Sequence, residues 1–359
     1  MTRKLLAALA FSAAALLAAA PAMAQTDPAV AAKGYKAPRN PWGQPDLSGV
    51  WSPATITRLE RDPALKDRLV MTDAEAKALE GENAAFNAKD LAKSDLSVKV
   101  DDLECGVKGF PRGPECGYNN FWVDPGTKVL RIAGQPRASI LVTPKDGRLP
   151  LKPEALARQR AQFGNARVGN FDGPERRPLG ERCLVGFGST SGPPMLPVLY
   201  NNHYQIQQTR DQVVIVVEMV HDARIIRLND KHRPNAMPTW MGDSIGWWEG
   251  DTLVVETTQF NPGESLRPYF DNTIYLSQDA KVTERFTRIS KDQILYQFSV
   301  DDPKVYARPW KAEMPLNASK GPVYEYACHE GNYSLPGILA GARKAESEGR
   351  KPDAVELSE

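Results

Sequence analysis

The sequence predicts a mainly β protein whose strands run as an antiparallel meander and close into a barrel, with an N-terminal helix and long loops. Three observations carry this expectation. Val213-Val214-Ile215-Val216-Val217 is a run of β-prone residues that reads as a strand packed on both faces. From Tyr204 onward such stretches recur at short intervals: 203–209, 213–228, 244–248, 252–259, 281–289, 293–300, 304–314 and 323–328. Tight turn signals separate them, among them Thr209-Arg210-Asp211, Glu249-Gly250-Asp251, Ser290-Lys291-Asp292 and Asp301-Asp302-Pro303. Eight such elements are enough to curl into a closed ring, which removes exposed strand edges.

The N-terminal elements differ in kind. Arg3 and Lys4, the apolar run Leu5 to Ala20 and the small-x-small site Ala22-Met23-Ala24 predict a cleaved secretory signal over residues 1–24. Residues 25–45 read as a linker and 46–117 as a helical and loop segment. In that segment Thr72-x-x-Glu75 is a capping box opening a helix that runs towards Phe86. Strand signals follow at 120–123, 128–132 and 139–143, and Pro153 opens a short helix carrying Leu156 and Phe163. Residues 164–200 form a Gly/Pro-rich connection, a candidate lid or rim loop. The β-barrel domain is expected over 118–345, with a disordered tail at 346–359.

Charge excludes some functions. Loss of Arg3 and Lys4 takes 45 basic residues to 43 against 44 acidic ones, leaving no electrostatic case for nucleic acid or anionic lipid. No later segment is long and apolar enough to span a membrane as a helix, so no membrane insertion is expected after signal cleavage. Four cysteines in an exported chain favour two disulfides, for which three pairings exist. Cys105 and Cys116 enclose a Gly/Pro-rich loop that needs a staple. The remaining pair, Cys183 with Cys328, then ties the start of the β region to its end. None of these spacings is that of a zinc site.

Ionisable residues inside an apolar strand are costly unless paired, and Glu218, His221, Asp222 and Arg224 sit inside the run 213–228. Alternation places Glu218, Asp222 and Arg224 on one face and His221 on the other. The group reads either as an ion ladder with Arg285, Arg288 and Glu256, or as a site. In the site reading Glu218 and Arg224 bind ligand and His221 or Asp222 does acid–base work. His329 and Glu330 follow Cys328 at the end of the last predicted strand, as a rim base and its orienter or as strand-ending polar residues. Trp248 and Trp310 either line a cavity or fill the core. His203, His221 and His329 have no metal-binding spacing, and neither metal nor cofactor is expected. Ser189-Thr190-Ser191-Gly192 and Gly242-Asp243-Ser244 lack the Gly-x-Ser-x-Gly context of a nucleophile elbow and read as turns.

Several blocks carry a resemblance. They are Glu218-Met219 with His221-Asp222-Ala223-Arg224, then Gly242-Asp243-Ser244-Ile245-Gly246 with Trp248 to Thr258. Glu284-Arg285-Phe286-Thr287-Arg288 and Tyr324-Glu325-Tyr326-Ala327-Cys328-His329-Glu330-Gly331-Asn332-Tyr333 complete the set. Together they resemble a family of exported bacterial proteins, which implies export and no particular activity. Gly49-Val50-Trp51 looks like the Gly-x-Trp of the lipocalin first strand, which implies a calycin-like barrel. The expectation is an exported, periplasmic or secreted, barrel that binds a small apolar or aromatic molecule. The alternative is a cofactor-independent hydratase, lyase or isomerase acting on such a molecule in the barrel cavity.

Overall fold

The structure is a computed structural model. It describes residues 34–90, 126–157, 171 and 173–350, apart from 187, 191, 235–236, 262–266 and 270–271. The predicted signal, the Cys105–Cys116 staple, the strand at 120–123, Phe163 and residues 351–359 lie outside these residues.

Nine strands form a closed ring. In spatial order they are β1 (Gly49–Ser52), β5 (Tyr204–Gln208), β6 (Gln212–Val217), β7 (Ala223–Leu228), β8 (Asp243–Glu249), β9 (Thr252–Thr258), β12 (Lys281–Arg288), β13 (Gln293–Asp301) and β14 (Trp310–Ala318), and β14 pairs back onto β1. Short strands β2 (Arg131–Ile132), β3 (Gln135–Pro136) and β4 (Leu141–Thr143) lie outside the ring, β4 beside β14. So does the pair β10 (Arg267–Tyr269) and β11 (Asn272–Ile274). Closure draws on the N-terminal segment: β1 pairs with both β5 and β14, and buried Trp51 donates its indole N–H to Leu47 O at 2.9 Å.

An odd ring cannot be antiparallel throughout, because each antiparallel junction reverses direction and the ring must return to its start. One parallel junction is required. It falls between β7 and β8, with only Arg227↔Ile245 and Leu228↔Gly246 in register. The purely antiparallel meander expected from sequence is therefore interrupted once, at the crossover between β7 and β8.

The period-two alternation decides what lies inside. Val213, Ile215 and Val217 are buried while Val214 and Val216 are only half-buried, so β6 faces solvent on one side rather than being covered on both. Cross-strand register carries the inward set around the ring through Arg224, Gly246, Val255, Glu284, Phe298 and Ala312. Phe286, Tyr296, Phe298, Trp310 and Tyr306 pack ring against ring at centroid spacings of 4.9–5.7 Å. Each such side chain contributes about 1.5–3 kcal/mol on burial. This interior is packed with side chains.

The described part of the Gly/Pro-rich 164–200 connection, from 173 to 200, acts as a plug. Ser189, Thr190, Met195 and Leu196 are buried, Met195 N–H donates to Tyr296 Oη at 3.0 Å, and Tyr204 Oη donates to Thr190 O at 2.9 Å. Gly192 is required where the plug turns: its φ is +68°, and a Cβ there would come within 2.6 Å of Met195 Cγ and 3.2 Å of Arg224 Nη1. The Cys183–Cys328 disulfide fastens this plug to the segment after β14. Helix α1 (Asp73–Asp90) has the predicted capping box, Glu75 N to Thr72 Oγ1 at 3.2 Å and Thr72 N to Glu75 Oε2 at 2.8 Å. Residues 153–157 begin the short helix predicted at Pro153, and another helix, α2 (Ser334–Ser347), follows the barrel.

Candidate functional site at the barrel seam

The charged insertion predicted to lie within one strand is a turn. The run 213–228 divides into β6 and β7, paired antiparallel, and Glu218–Asp222 reverses the chain between them. Val220 (φ +65°) and His221 (φ +57°) adopt left-handed backbone, a costly state for a β-branched residue. What holds it is the segment following β14. Glu218 Oε1 accepts Tyr324 N–H at 2.9 Å and His221 Nε2 accepts Tyr326 N–H at 2.8 Å, so two side chains take the place of a partner strand. Nε2 of His221 is then the unprotonated ring nitrogen. The predicted strand 323–328 is accordingly extended chain bonded to side chains, not a ladder member. Burial opposes ionisation of Glu218, but the His203 ring at 2.8 Å and the Tyr324 and His203 N–H groups outweigh it. The carboxyl is held below its ordinary range.

Inside the barrel Arg224 reaches across to Glu284. The guanidinium donates to both carboxylate oxygens at 3.0 and 2.5 Å, with both side chains buried, and Tyr296 Oη donates to Glu284 Oε1 at 2.7 Å. Burial works to lower the Arg224 pKa, yet the Glu284 charge dominates and raises it; burial and the same charge push Tyr296 well up. Arg224 stays cationic and Tyr296 stays a phenol. This is a matched structural pair, and neither Arg285 nor Arg288 takes part: Arg285 pairs with Glu249 and Arg288 donates to Asp46 O.

Outside the barrel a second network ties the crossover down. Arg227 donates to Asp243 at 2.8 Å and to Asp230 at 2.6 Å, and His232 contacts Asp243 through Nδ1 at 2.9 Å and Glu256 through Nε2 at 3.3 Å. Burial opposes ionisation of Asp243, but Arg227 and His232 prevail and lower its pKa to about 2. Ser244 is spent on Thr257 Oγ1 at 2.8 Å, and Asp243 and Ser244, read as a turn from sequence, already belong to β8.

Where β7 and β8 part ahead of their two paired residues, a cleft of about 690 Å³ opens. Its apolar wall is Leu184 and Val185 from the plug, Ile225 from β7, and Met237, Trp240 and Met241 from the crossover. Ile225 is 53% exposed and Met237 86%. Asp222, Arg227, Arg233 and Asp243 supply the polar part; Arg224 borders the cleft, but its side chain turns inward to Glu284. Gly246 lets the strands approach at the closed end of this seam, since a Cβ there would lie 2.8 Å from Ile226 Cγ2 and 3.1 Å from Val254 O. A larger cleft of about 1070 Å³ lies beside α1. Several of its charged groups serve the scaffold: Glu60 holds Arg148 and the Leu149 N–H, Glu75 caps α1, and Arg61 donates to the carbonyls of Lys66 and Lys145.

Of the residues singled out from sequence, Asp222 and Arg224 line the seam cleft. Glu218 and His221 turn to the 324–326 backbone. His329 and Glu330 are exposed in a turn after Cys328. Trp248 is half-buried on the inward face of β8, and Trp310 is core against Phe298 and Tyr306. Sequence reasoning missed Glu284 as partner of Arg224, and missed His232, Arg233 and the role of Asp243. One signal was available for the last three: 229–242 is too long for a hairpin and carries His232, Arg233, Met237 and Trp240. No group of three or more His, Cys, Asp or Glu side chains suited to a metal ion occurs among the described residues.

Fold and site together define a closed β-barrel with a filled interior, a disulfide-anchored plug and an open cleft at its single parallel junction. Comparison with protein-family models, with curated proteins and with solved structures finds no match to this chain.

Proposed function

We propose that the protein is a binding protein for a small apolar or aromatic molecule, held in the seam cleft and not along the barrel axis. The observation that carries this is the coincidence of exposed Ile225 and Met237 with half-buried Trp240 in one concavity whose volume lies in the range of small-molecule sites. Exposed apolar groups gathered in one place, rather than scattered, mark a surface that another apolar body covers. Export is supported by the secretory signal read at residues 1–24 and by the Cys183–Cys328 disulfide.

A neutral fluorescent probe such as Nile red tests the site. Saturable enhancement is expected with the wild type and not with Ile225→Asp, which puts a charge into the apolar wall. Equal enhancement with both proteins would remove the cleft from consideration. Asp222 in the cleft wall beside Arg224 favours one second reading, an acid–base enzyme of the hydratase, lyase or isomerase kind. It requires turnover of a bound compound with a bell-shaped pH–rate profile that Asp222→Asn abolishes.

A further inference from the structure

Building on the binding function proposed above, we infer that the cleft recognises an uncharged, peptide-like amide, and that the open edge of β7 at Ile225 pairs with it. The charges around the cleft already answer one another. Arg227 donates to Asp230 and Asp243, the Arg233 charge acts on the same Asp230, and Arg224 is spent on Glu284 inside the barrel. No surplus charge is left to select an ion, so recognition falls to neutral donors and acceptors.

The backbone supplies them. A closed ring removes strand edges, yet β7 and β8 share only the register pairs Arg227↔Ile245 and Leu228↔Gly246. Over 223–226, β7 is paired on its β6 side alone. Val217 N–H donates to Asp222 O at 2.7 Å and Leu228 N–H to Asp211 O at 2.8 Å, so the even-numbered positions bond towards β6. The alternation of an antiparallel ladder then turns the N–H and C=O of Ala223 and Ile225 the other way, towards the cleft that both residues line. Neither has a strand partner on that side among the described residues, and both are exposed. Such an edge is a template for one more extended segment.

A single amino-acid unit blocked at both ends matches Ile225. In antiparallel pairing its N–H donates to Ile225 C=O and its C=O accepts Ile225 N–H, while its side chain falls on the same face as that of Ile225. On that face Ile225 contributes to the apolar wall of the cleft, where Trp240 offers a flat surface and Met237 and Met241 adaptable ones for an aromatic or branched group.

The test compares two isosteric probes on the full-length oxidised protein: N-acetyl-phenylalanine N-methylamide, and its analogue with an ester oxygen in place of the phenylalanyl N–H. Binding is followed through the indole N–H and methionine methyl resonances and through hydrogen exchange at the Ile225 amide. The amide probe is expected to bind about tenfold tighter than the ester, which sets an oxygen lone pair against Ile225 C=O. At saturation it slows exchange of the Ile225 N–H. Ile225→Pro, which removes an N–H that lies off the β6 ladder, weakens the amide probe by about tenfold. If the two probes bind equally, or Ile225 exchange is unchanged at saturation, the edge assignment is wrong and the cleft reading survives. The wild-type exchange measurement decides this even where Ile225→Pro does not fold. If neither probe shifts Met237, Met241 or Trp240, the cleft reading falls as well.

Discussion

Strand β7 divides the molecule into two unlike regions. Arg224, Ile226 and Leu228 face inward, where the one charge is answered by Glu284 and sealed beneath the plug. Ile225 and Arg227 face outward onto the seam, where apolar surface stays open and the charges are arranged around a cleft. The same backbone thus carries scaffold on one face and the candidate site on the other. A perturbed ionisable group is therefore a poor guide to function by itself: Arg224 and Tyr296, both shifted upward, are buried and paired with Glu284 inside the scaffold.

The contrast breaks most visibly at the interior pair. Removing one member, as in Glu284→Gln or Arg224→Met, leaves a buried charge unanswered and costs about 3–5 kcal/mol in urea unfolding. The double change Arg224→Met/Glu284→Leu restores most of that loss if the pair is scaffold. Failure of the double variant to recover stability would show that the pair does more than fill space.

The seam network answers to acid. Asp243 has its pKa lowered from 3.8 to about 2, so the stability it supplies is complete above about pH 4 and is lost as pH falls through about 2. The loss amounts to about 2 kcal/mol. Asp243→Asn flattens this part of the stability–pH curve, and an unchanged curve would mean the crossover is held by other contacts.

The turn between β6 and β7 offers a smaller effect of opposite sign. Val220 pays for left-handed backbone, so Val220→Gly raises stability by about 1 kcal/mol, whereas His221→Ala, which frees Tyr326 N–H, lowers it by about the same amount. Thermal melts of the two variants check both signs. The smallest effect on stability belongs to Ile225→Asp, within about 0.5 kcal/mol because the side chain is already exposed. Its effect on ligand uptake is the largest of the set.

Much of the barrel was legible because its turns use residues made for turning. Glu249-Gly250-Asp251 and Ser290-Lys291-Asp292 fall between paired strands as expected, and Thr72 and Glu75 cap α1. The β6–β7 reversal was illegible for the same physical reason: Glu-Met-Val-His-Asp contains neither Gly, Pro nor Asn, and its conformation is imposed by Tyr324 and Tyr326, more than a hundred positions away. The Arg224–Glu284 pairing depends on which strands the ring brings opposite one another, which no local pattern encodes. The parallel seam could be inferred only after counting the ring, and with it the cleft. Cys183 with Cys328 belongs to one of the three cysteine pairings open from sequence, and the two do pair.

The central claim is that the interior is scaffold and the seam is the site, and isotope-labelled methionine methyls read both at once. Met237 and Met241 line the cleft, while Met195 and Met314 are buried within the barrel and its plug. On titration with a neutral aromatic probe, Met237 and Met241 are predicted to shift with a single saturating isotherm while Met195 and Met314 stay where they are. Shifts at Met195 and Met314 with Met237 and Met241 unmoved would place the ligand along the barrel axis and contradict the account.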